Sequence, residues 1–347
     1  MLLFQRCVTS FLSLGIIAPT PQSFVYRVGP MLTTGGKIPF QFVSMNVPNI
    51  WDIEDVPGRQ GERFPATLFE QEDAIQSILG LGGRVFRSYT IGIGPGLHVT
   101  GPRQYNEAAW RQVDAAVACA NRYKIKIMIP FINNGKDPEK AYGTYAAFAA
   151  LRGKPPSAFF TDRQVIDDFK HLIWYTVTRK NRYSGLRYKD DPAIFGWQLG
   201  NELGSWKDEV PPEDWILEIA TLIKALDPKH LVIDGTLAGH NRSRWSVKAL
   251  KSPKIDVFTN HYYWGRDDLT SGRIAGDADY IRSFNKSFII TEFGLSSIDV
   301  HEDILKLVLR KNIAGALIWS LRFHAEKGAL FLFFLDYLSL NRRLLRS

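Results

Sequence analysis

Two short stretches, Gln198–Glu202 (QLGNE) and Ile289–Gly294 (IITEFG), determine how this chain is interpreted. In each, a run of apolar and β-favouring residues leads into a glutamate. A nearly continuous apolar run is typical of a strand buried in a parallel sheet. Burial gives no reason for a carboxylate at the end of such a strand, because a carboxylate there is costly unless it is paired, hydrogen-bonded or functional. The two stretches therefore predict a parallel sheet that carries two acidic groups, Glu202 and Glu292.

The same kind of apolar run recurs along nearly the whole chain. Between most of the runs lie amphipathic segments of helical period. The runs cover 40–47, 83–89, 125–133, 193–200, 230–235, 255–263, 287–293 and 314–321. The helical segments cover 66–80, 105–123, 162–180, 213–227, 242–251, 274–284 and 298–312. Eight strands alternating with helices over about 280 residues predict a closed α/β barrel of the (β/α)8 type, with an open doubly wound sheet as the alternative.

Local signals add detail at three places. Residues 24–40 predict a small N-terminal β-hairpin around Gly35-Gly36, which would close the bottom of the barrel. Pro211-Pro212 predicts a helix start, since proline is favoured in the first turn. Thr161 with Gln164 predicts a capping box for the helix that follows.

Composition excludes several classes of protein. With 347 residues, 45% hydrophobic and 22% charged, the chain is a folded globular protein rather than a disordered one. The net charge of +8 is spread along the chain, so we expect a solvated surface and no nucleic-acid partner. Cys7 and Cys119 provide neither metal-ligand spacing nor a disulfide framework. No apolar stretch has the length of a membrane span, so no membrane partner is expected.

Polar, titratable and aromatic side chains follow the predicted strands at one end, whereas the strand interiors are almost entirely apolar. In a (β/α)8 barrel the carboxyl ends of the strands hold the active site. The residues at these ends are Asn46, Arg87, Tyr89, Asn133, Asn201, Glu202, His261, Tyr263, Trp264, Glu292 and Trp319. Each has an ordinary explanation when taken alone, but their position at the same end of successive strands predicts a common site.

The most economical chemistry for a facing carboxylate pair is glycoside hydrolysis. Retaining glycosidases hold their two carboxyl groups about 5–5.5 Å apart, one protonated and the other ionised as the nucleophile. Glu202 and Glu292 follow the fourth and seventh predicted strands, whose ends can face each other across the barrel mouth. Arg87 can neutralise and orient the nucleophile.

Further residues complete the predicted substrate site. Asn201 can hydrogen-bond a substrate hydroxyl, and Trp319 offers a plane on which a sugar ring can stack. His261 and Tyr263 alternate on one strand and therefore share a face, from which Tyr263 can donate to the nucleophile. The candidate substrate-binding residues are Arg87, Asn201, His261, Tyr263, Trp319, Tyr89 and Trp264.

These motifs resemble those of glycoside hydrolase family 5, within a clan of (β/α)8 retaining glycosidases. The Asn-Glu pair ending strand four resembles the acid/base motif of that clan, and the Thr-Glu-Phe-Gly stretch resembles its strand-seven nucleophile motif. The matching segments are Phe40–Asn46, Val85–Arg87, Gly196–Glu202, His261–Tyr263, Ile290–Gly294 and Ala316–Trp319. The resemblance covers roughly residues 24–324.

The resemblance implies a double displacement with net retention of configuration. Glu292 would attack the anomeric carbon, while Glu202 would protonate the leaving oxygen and then activate water. No cofactor or metal is implied for catalysis. The overall pattern is closest to endo-β-1,4-mannanase-like members, which implies a mannan endo-1,4-β-mannosidase that acts on a β-1,4-linked polysaccharide as a secreted, extracellular monomer.

Three alternatives to this interpretation stay open. An endo-β-1,4-glucanase (cellulase) of the same family would use the same residues, as would a transglycosylase. A catalytically inactive carbohydrate-binding barrel would retain only its stacking surfaces. The candidate stacking residues are Trp51, Tyr89, Trp206, Trp264 and Trp319.

The chain is divided into three parts by these expectations. Residues 1–22 form an N-terminal segment with the features of a degenerate signal peptide. Residues 23–328 form the (β/α)8 catalytic domain, and residues 329–347 form an atypical apolar and basic tail. This tail departs from the family's pattern, as a shortened last helix or an altered reading frame would.

Overall fold

The computed structural model describes residues 23–53, 63–137, 143–205, 209–239, 241–263 and 271–326. Within these ranges, eight parallel strands close into a barrel in which neighbours in space are neighbours in sequence. The barrel strands, first to eighth, are Phe42–Val47, Val85–Ser88, Lys126–Pro130, Ile194–Gln198, Leu231–Ile233, Val257–Tyr263, Ser287–Gly294 and Gly315–Ile318. Each predicted apolar run contains one strand or most of one. The predicted (β/α)8 barrel is therefore confirmed, and the open doubly wound alternative is wrong.

Helices lie between the strands where the amphipathic period predicts them. The main helices are Leu68–Gly80, Glu107–Tyr123, Arg163–Thr178, Glu213–Leu226, Val247–Lys251, Ser271–Ser283 and Ile298–Arg310. Two short helices, Tyr145–Ala150 and Ala158–Thr161, come before the third of these and were not predicted. Among the helices of the described ranges, none combines the length and apolar character that crossing a bilayer would require.

The helix starts show one correct prediction and one error. The helix Glu213–Leu226 begins directly after Pro212, as predicted. The helix Arg163–Thr178 is capped by the Asp162 carboxylate, which accepts from the backbone N–H groups of the second and third helical residues. The Thr161 hydroxyl instead donates to the carbonyl of Ser157, which directly precedes the short helix Ala158–Thr161. The predicted Thr161–Gln164 capping box is therefore wrong, because the adjacent aspartate is a strong N-cap residue.

The predicted hairpin around Gly35-Gly36 is present, and a further strand extends it. Met31–Thr34 pairs antiparallel with Ile38–Pro39 and, on its other side, with Val25–Val28. The buried residues Val25 and Leu32 of this sheet belong to the same apolar cluster as barrel residues near the strand starts, such as Phe42 and Val85. The three-stranded sheet thus closes the barrel end opposite the polar strand ends. The predicted segments 1–22 and 329–347 lie outside the described residues.

A close approach of two backbones, at Gly200 and Gly235, positions the loop that carries Glu202. A Cβ atom on Gly235 would lie 1.8 Å from the Gly200 carbonyl oxygen. Just beyond, the Leu203 N–H donates to the Gly235 carbonyl at 3.0 Å. Only a residue without a side chain at position 235 therefore lets the two strand ends come together.

We expect Gly235→Ala to lower the free energy of unfolding by about 3 kcal/mol, since the added methyl meets backbone atoms that cannot rotate away. Thermal and urea unfolding measure the change. Gly80→Ala is the matched control, because a Cβ there has no atom within 4 Å and the residue ends a helix. Equal stability of the two variants would contradict the close approach.

Candidate active site

Glu292 lies in the seventh strand with donors on both of its carboxylate oxygens. Its Oε1 accepts from Arg87 Nη1 at 2.8 Å, and its Oε2 accepts from the Tyr263 hydroxyl at 2.6 Å. His261 is the register partner of Glu292 on the sixth strand, and its Nδ1 lies 3.3 Å from Oε2. The Glu292 side chain is only 6% exposed. The carboxylate is therefore held in one orientation, with a guanidinium opposite its charge.

Glu202 lies beyond the end of the fourth strand with an unusual backbone. Its φ of 51° is in the left-handed region, which residues with a side chain rarely adopt. Backbone strain of this kind is concentrated at functional sites. The side chain is 17% exposed, more than that of Glu292, and its Oε1 lies 2.8 Å from His261 Nδ1. Glu202 is thus the carboxyl of the pair that opens toward solvent.

The two carboxyl groups converge although they are remote in the sequence. An oxygen of Glu202, an oxygen of Glu292 and a ring nitrogen of His261 all lie within 4.8 Å of one another. This separation matches the short spacing of retaining glycosidases and is well below the roughly 6.5–9.5 Å of inverting ones.

The same spacing would suit a metal ion, but the surroundings of Glu292 do not fit one. The Arg87 guanidinium, 2.8 Å from Glu292 Oε1, would face and repel a bound cation. The second oxygen of Glu292 already accepts a hydrogen bond from the Tyr263 hydroxyl. The donor set therefore fits a hydrogen-bonded carboxyl pair better than a metal centre.

Burial and the negative charge of Glu292 raise the pKa of Tyr263 well above its usual value near 10. A hydrogen bond from Tyr263 to Glu292 acts in the same direction, and the charge of Glu202 adds to it. The phenol therefore stays protonated and remains a donor to Glu292 throughout the neutral and mildly alkaline range.

Arg87, in the second strand, is fully buried and has several partners besides Glu292. Its Nε donates to Gln198 Oε1 at 2.8 Å, its Nη1 donates to Asn46 Oδ1 at 3.2 Å, and its Nη2 donates to Asn201 Oδ1. Sequence reasoning did not single out Gln198 as a site residue. The feature that marks Gln198 in the sequence is its polar amide group within the otherwise apolar strand Ile194–Gln198.

Asn201 and Tyr89 belong to the same network. The Asn201 nitrogen donates to Asn133 Oδ1 at 2.8 Å, and the Asn133 nitrogen donates to the Tyr89 hydroxyl at 3.0 Å. Both ends of the Asn201 amide are thus engaged by protein groups, and its predicted contact with a substrate hydroxyl stays a prediction.

The aromatic candidates lie in different environments. The rings of Tyr89 and Trp319 are half-buried neighbours, with centroids 6.0 Å apart and planes tilted by 58°. Trp51 is 2% exposed and packs edge-on against His98, so the predicted stacking role for Trp51 is wrong: it belongs to the core. Trp206 and Trp264 lie outside the described residues.

The sequence is similar to a family of known proteins. A family model described as "GH family 5 beta-mannosidase-like" matches residues 93–302. A putative mannan endo-1,4-beta-mannosidase 5 of Oryza sativa subsp. japonica is 30% identical over 252 residues, which are 72% of this chain and 49% of that protein. Mannan endo-1,4-beta-mannosidase 2 of Arabidopsis thaliana is 27% identical over 279 residues, 65% of this chain and 64% of that protein. The chain thus spans about half to two thirds of these relatives.

Solved structures share the fold. The endo-1,4-beta-mannanase from Rhizomucor miehei superimposes with a TM-score of 0.71 at 24% identity, covering 86% of this chain and 90% of that one. The endo-beta-1,4-mannanase from Thermotoga petrophila also superimposes with a TM-score of 0.71, at 20% identity, covering 85% of this chain and 72% of that one. At these identities the likeness shows a common (β/α)8 architecture.

Proposed function

The chain belongs to glycoside hydrolase family 5, and we propose that it is a retaining endo-β-1,4-glycosidase whose preferred substrate is mannan. One observation carries this proposal. The carboxyl groups of Glu202 and Glu292 approach within 4.8 Å, and one of them is bound by a guanidinium and a phenol. The names of the plant relatives support mannan over a cellulose-like glucan.

The unequal surroundings of the two carboxyl groups assign the roles in the first step. Glu292, opposite Arg87, attacks the anomeric carbon. As the carbon–oxygen bond to the leaving sugar breaks, Glu202 transfers its proton to that oxygen, and the glycosyl group becomes an ester of Glu292. Tyr263 and Arg87 hold the attacking carboxylate in line with the sugar.

The second step reverses the roles of donor and acceptor. Glu202, now ionised, takes a proton from a water molecule, whose oxygen attacks the anomeric carbon and releases Glu292. His261 Nδ1, placed between the two carboxyl groups, contacts the acid/base at 2.8 Å and can stabilise its charged form. Two inversions give net retention of configuration.

The stereochemistry of the first product tests this proposal directly. Proton NMR of mannan hydrolysis should show the β-anomer before mutarotation, and the rate on mannan should exceed the rates on glucomannan, carboxymethyl cellulose and xylan. An initial α-anomer would exclude the retaining mechanism. Binding without turnover by folded protein would favour the inactive carbohydrate-binding barrel. The extracellular location and the monomeric state stay predictions.

We expect Tyr263→Phe to lower kcat about 10²-fold, because the variant loses one positioned donor to the nucleophile. Since Tyr263 stays protonated, the alkaline limb of the pH–activity profile should be the same in wild type and variant. Steady-state rates on mannan between pH 5 and about 9 measure both. An alkaline limb that moves in the variant would show that the phenol ionises during catalysis.

A further inference from the structure

A buried cluster around Arg87 joins the first, second and fourth barrel strands to Glu292 on the seventh. Asn46 of the first strand is the register partner of Arg87 in the second, and Gln198 ends the fourth strand. Arg87, Asn46 and Gln198 are all completely shielded from solvent. Because a guanidinium has five N–H donors, its burial requires several acceptors at once. Asn46 and Gln198 supply two of them, at 3.2 and 2.8 Å.

The amide groups of Asn46 and Gln198 are held by their nitrogen ends. The Asn46 nitrogen donates to the Thr291 carbonyl at 2.9 Å, directly before Glu292 in the chain. The Gln198 nitrogen lies 3.5 Å from the Thr259 hydroxyl oxygen, which in turn donates to the Asp234 carbonyl. With the nitrogen ends engaged in this way, the oxygen ends face the guanidinium.

These amide oxygens accept hydrogen bonds from Arg87 but, being uncharged, do not neutralise its positive charge. Asn201, the third amide that accepts from Arg87, is also uncharged. Among the described residues, Glu292 is the carboxylate that forms an ion pair with this guanidinium. An aspartate or glutamate at one of the amide positions would still accept from Arg87, although it could not replace the donation made by the amide nitrogen. It would divide the attraction of the cation between two carboxylates.

We propose that Asn46 and Gln198 are positioning residues whose uncharged side chains reserve the charge of Arg87 for Glu292. This proposal rests on the proposed role of Glu292 as the nucleophile. The ionisable groups that face Glu292 in the described residues are Arg87, His261, Tyr263 and Glu202. Arg87 is the permanent cation among them, so an added carboxylate that pairs with Arg87 would leave less positive charge opposite Glu292.

Gln198→Glu tests the proposal through the pH profile. Measured as kcat/KM on a soluble β-1,4-mannan, the acid-side pH of half-maximal activity should rise by about 1, since a second carboxylate competes for the guanidinium. Gln198→Met, which removes the amide without adding charge, should lower kcat about 10-fold to 100-fold through lost positioning, with the acid limb unmoved. Asn46→Asp provides a second charged variant, at the acceptor of Arg87 Nη1 rather than of Nε.

Gln71→Glu is the matched control, because Gln71 is equally buried but donates to the Gln112 carbonyl on a neighbouring helix. Gln71→Glu should lower thermal stability and leave the acid-side pH of half-maximal activity, the acid limb, at its wild-type value. The proposal is overturned if both charged variants keep the wild-type limb, or if Gln71→Glu moves it equally.

A separate measurement keeps the two proposals apart. An inactive Glu292→Gln variant, together with an acid limb that stays at its wild-type pH in both Gln198→Glu and Asn46→Asp, would remove only the positioning role. A fully active Glu292→Gln variant would remove the assignment of the nucleophile itself, whatever the pH profiles show.

Discussion

Replacing Glu292 by glutamine should reduce the rate of mannan hydrolysis by about four orders of magnitude or more, as expected for loss of a covalent nucleophile. The amide retains the size of the side chain and an oxygen that can accept from Arg87. It cannot form the glycosyl ester through which the proposed reaction proceeds. Initial rates on mannan, with circular dichroism to confirm the fold, measure the effect.

The surroundings of Glu292 also predict how stability changes. Removing one partner of a buried ion pair leaves the other charge uncompensated, which costs about 3–5 kcal/mol. Glu292→Ala should therefore unfold at a lower temperature than Glu292→Gln, which still satisfies a guanidinium donor. Glu302→Gln is the matched control, since Glu302 is 59% exposed and pairs only within its own helix among the described residues. Substantial hydrolysis by folded Glu292→Gln protein would contradict the nucleophile assignment.

Replacing Glu202 by alanine should lower the rate on mannan about 10²-fold to 10⁴-fold, because both protonation of the leaving oxygen and activation of water are lost. The loss should depend on the leaving group. An aryl β-mannoside with an acidic phenol needs no proton from the enzyme, so its first step should stay fast and the glycosyl ester should accumulate as a burst of phenol.

Azide distinguishes the two carboxyl groups further. It needs no general base, so it should restore turnover in Glu202→Ala and give a β-mannosyl azide by attack on the ester. In Glu292→Ala the same anion would attack from the vacated side and give the α-azide. Glu209→Ala, at an exposed position later in the sequence, should behave as the wild type. An α-azide from Glu202→Ala would reverse the two assignments.

The barrel and most of the residues that converge at its candidate site were predictable from local patterns. A buried parallel strand imposes a continuous apolar run, so each strand could be found without knowing its neighbours. A carboxylate, guanidinium or phenol at the end of such a run departs from that pattern, which is why Glu292, Arg87 and Tyr263 were identified from sequence. Their convergence follows from the topology, because the carboxyl ends of the strands meet at one face.

What the sequence did not predict depends on partners that are remote in the chain. Gln198 was not identified as a site residue because its partner Arg87 is 111 residues away and becomes a neighbour only when the barrel closes. Trp51 was assigned to a stacking surface because an indole has the same signature at a cleft and in a core. The helix Tyr145–Ala150 was not predicted because its sequence, YAAFAA, has no polar face to mark a period.

The ion pair between Arg87 and Glu292 has a consequence for the making of the protein. Its partners are 205 residues apart, so the second strand leaves the ribosome long before the seventh. A nascent chain that sealed Arg87 inside a partial barrel would enclose a cation without its counter-ion, at a cost of several kcal/mol. Premature closure is thereby disfavoured, and the pairing of Arg87 with Glu292 marks a chain whose translation has passed the seventh strand.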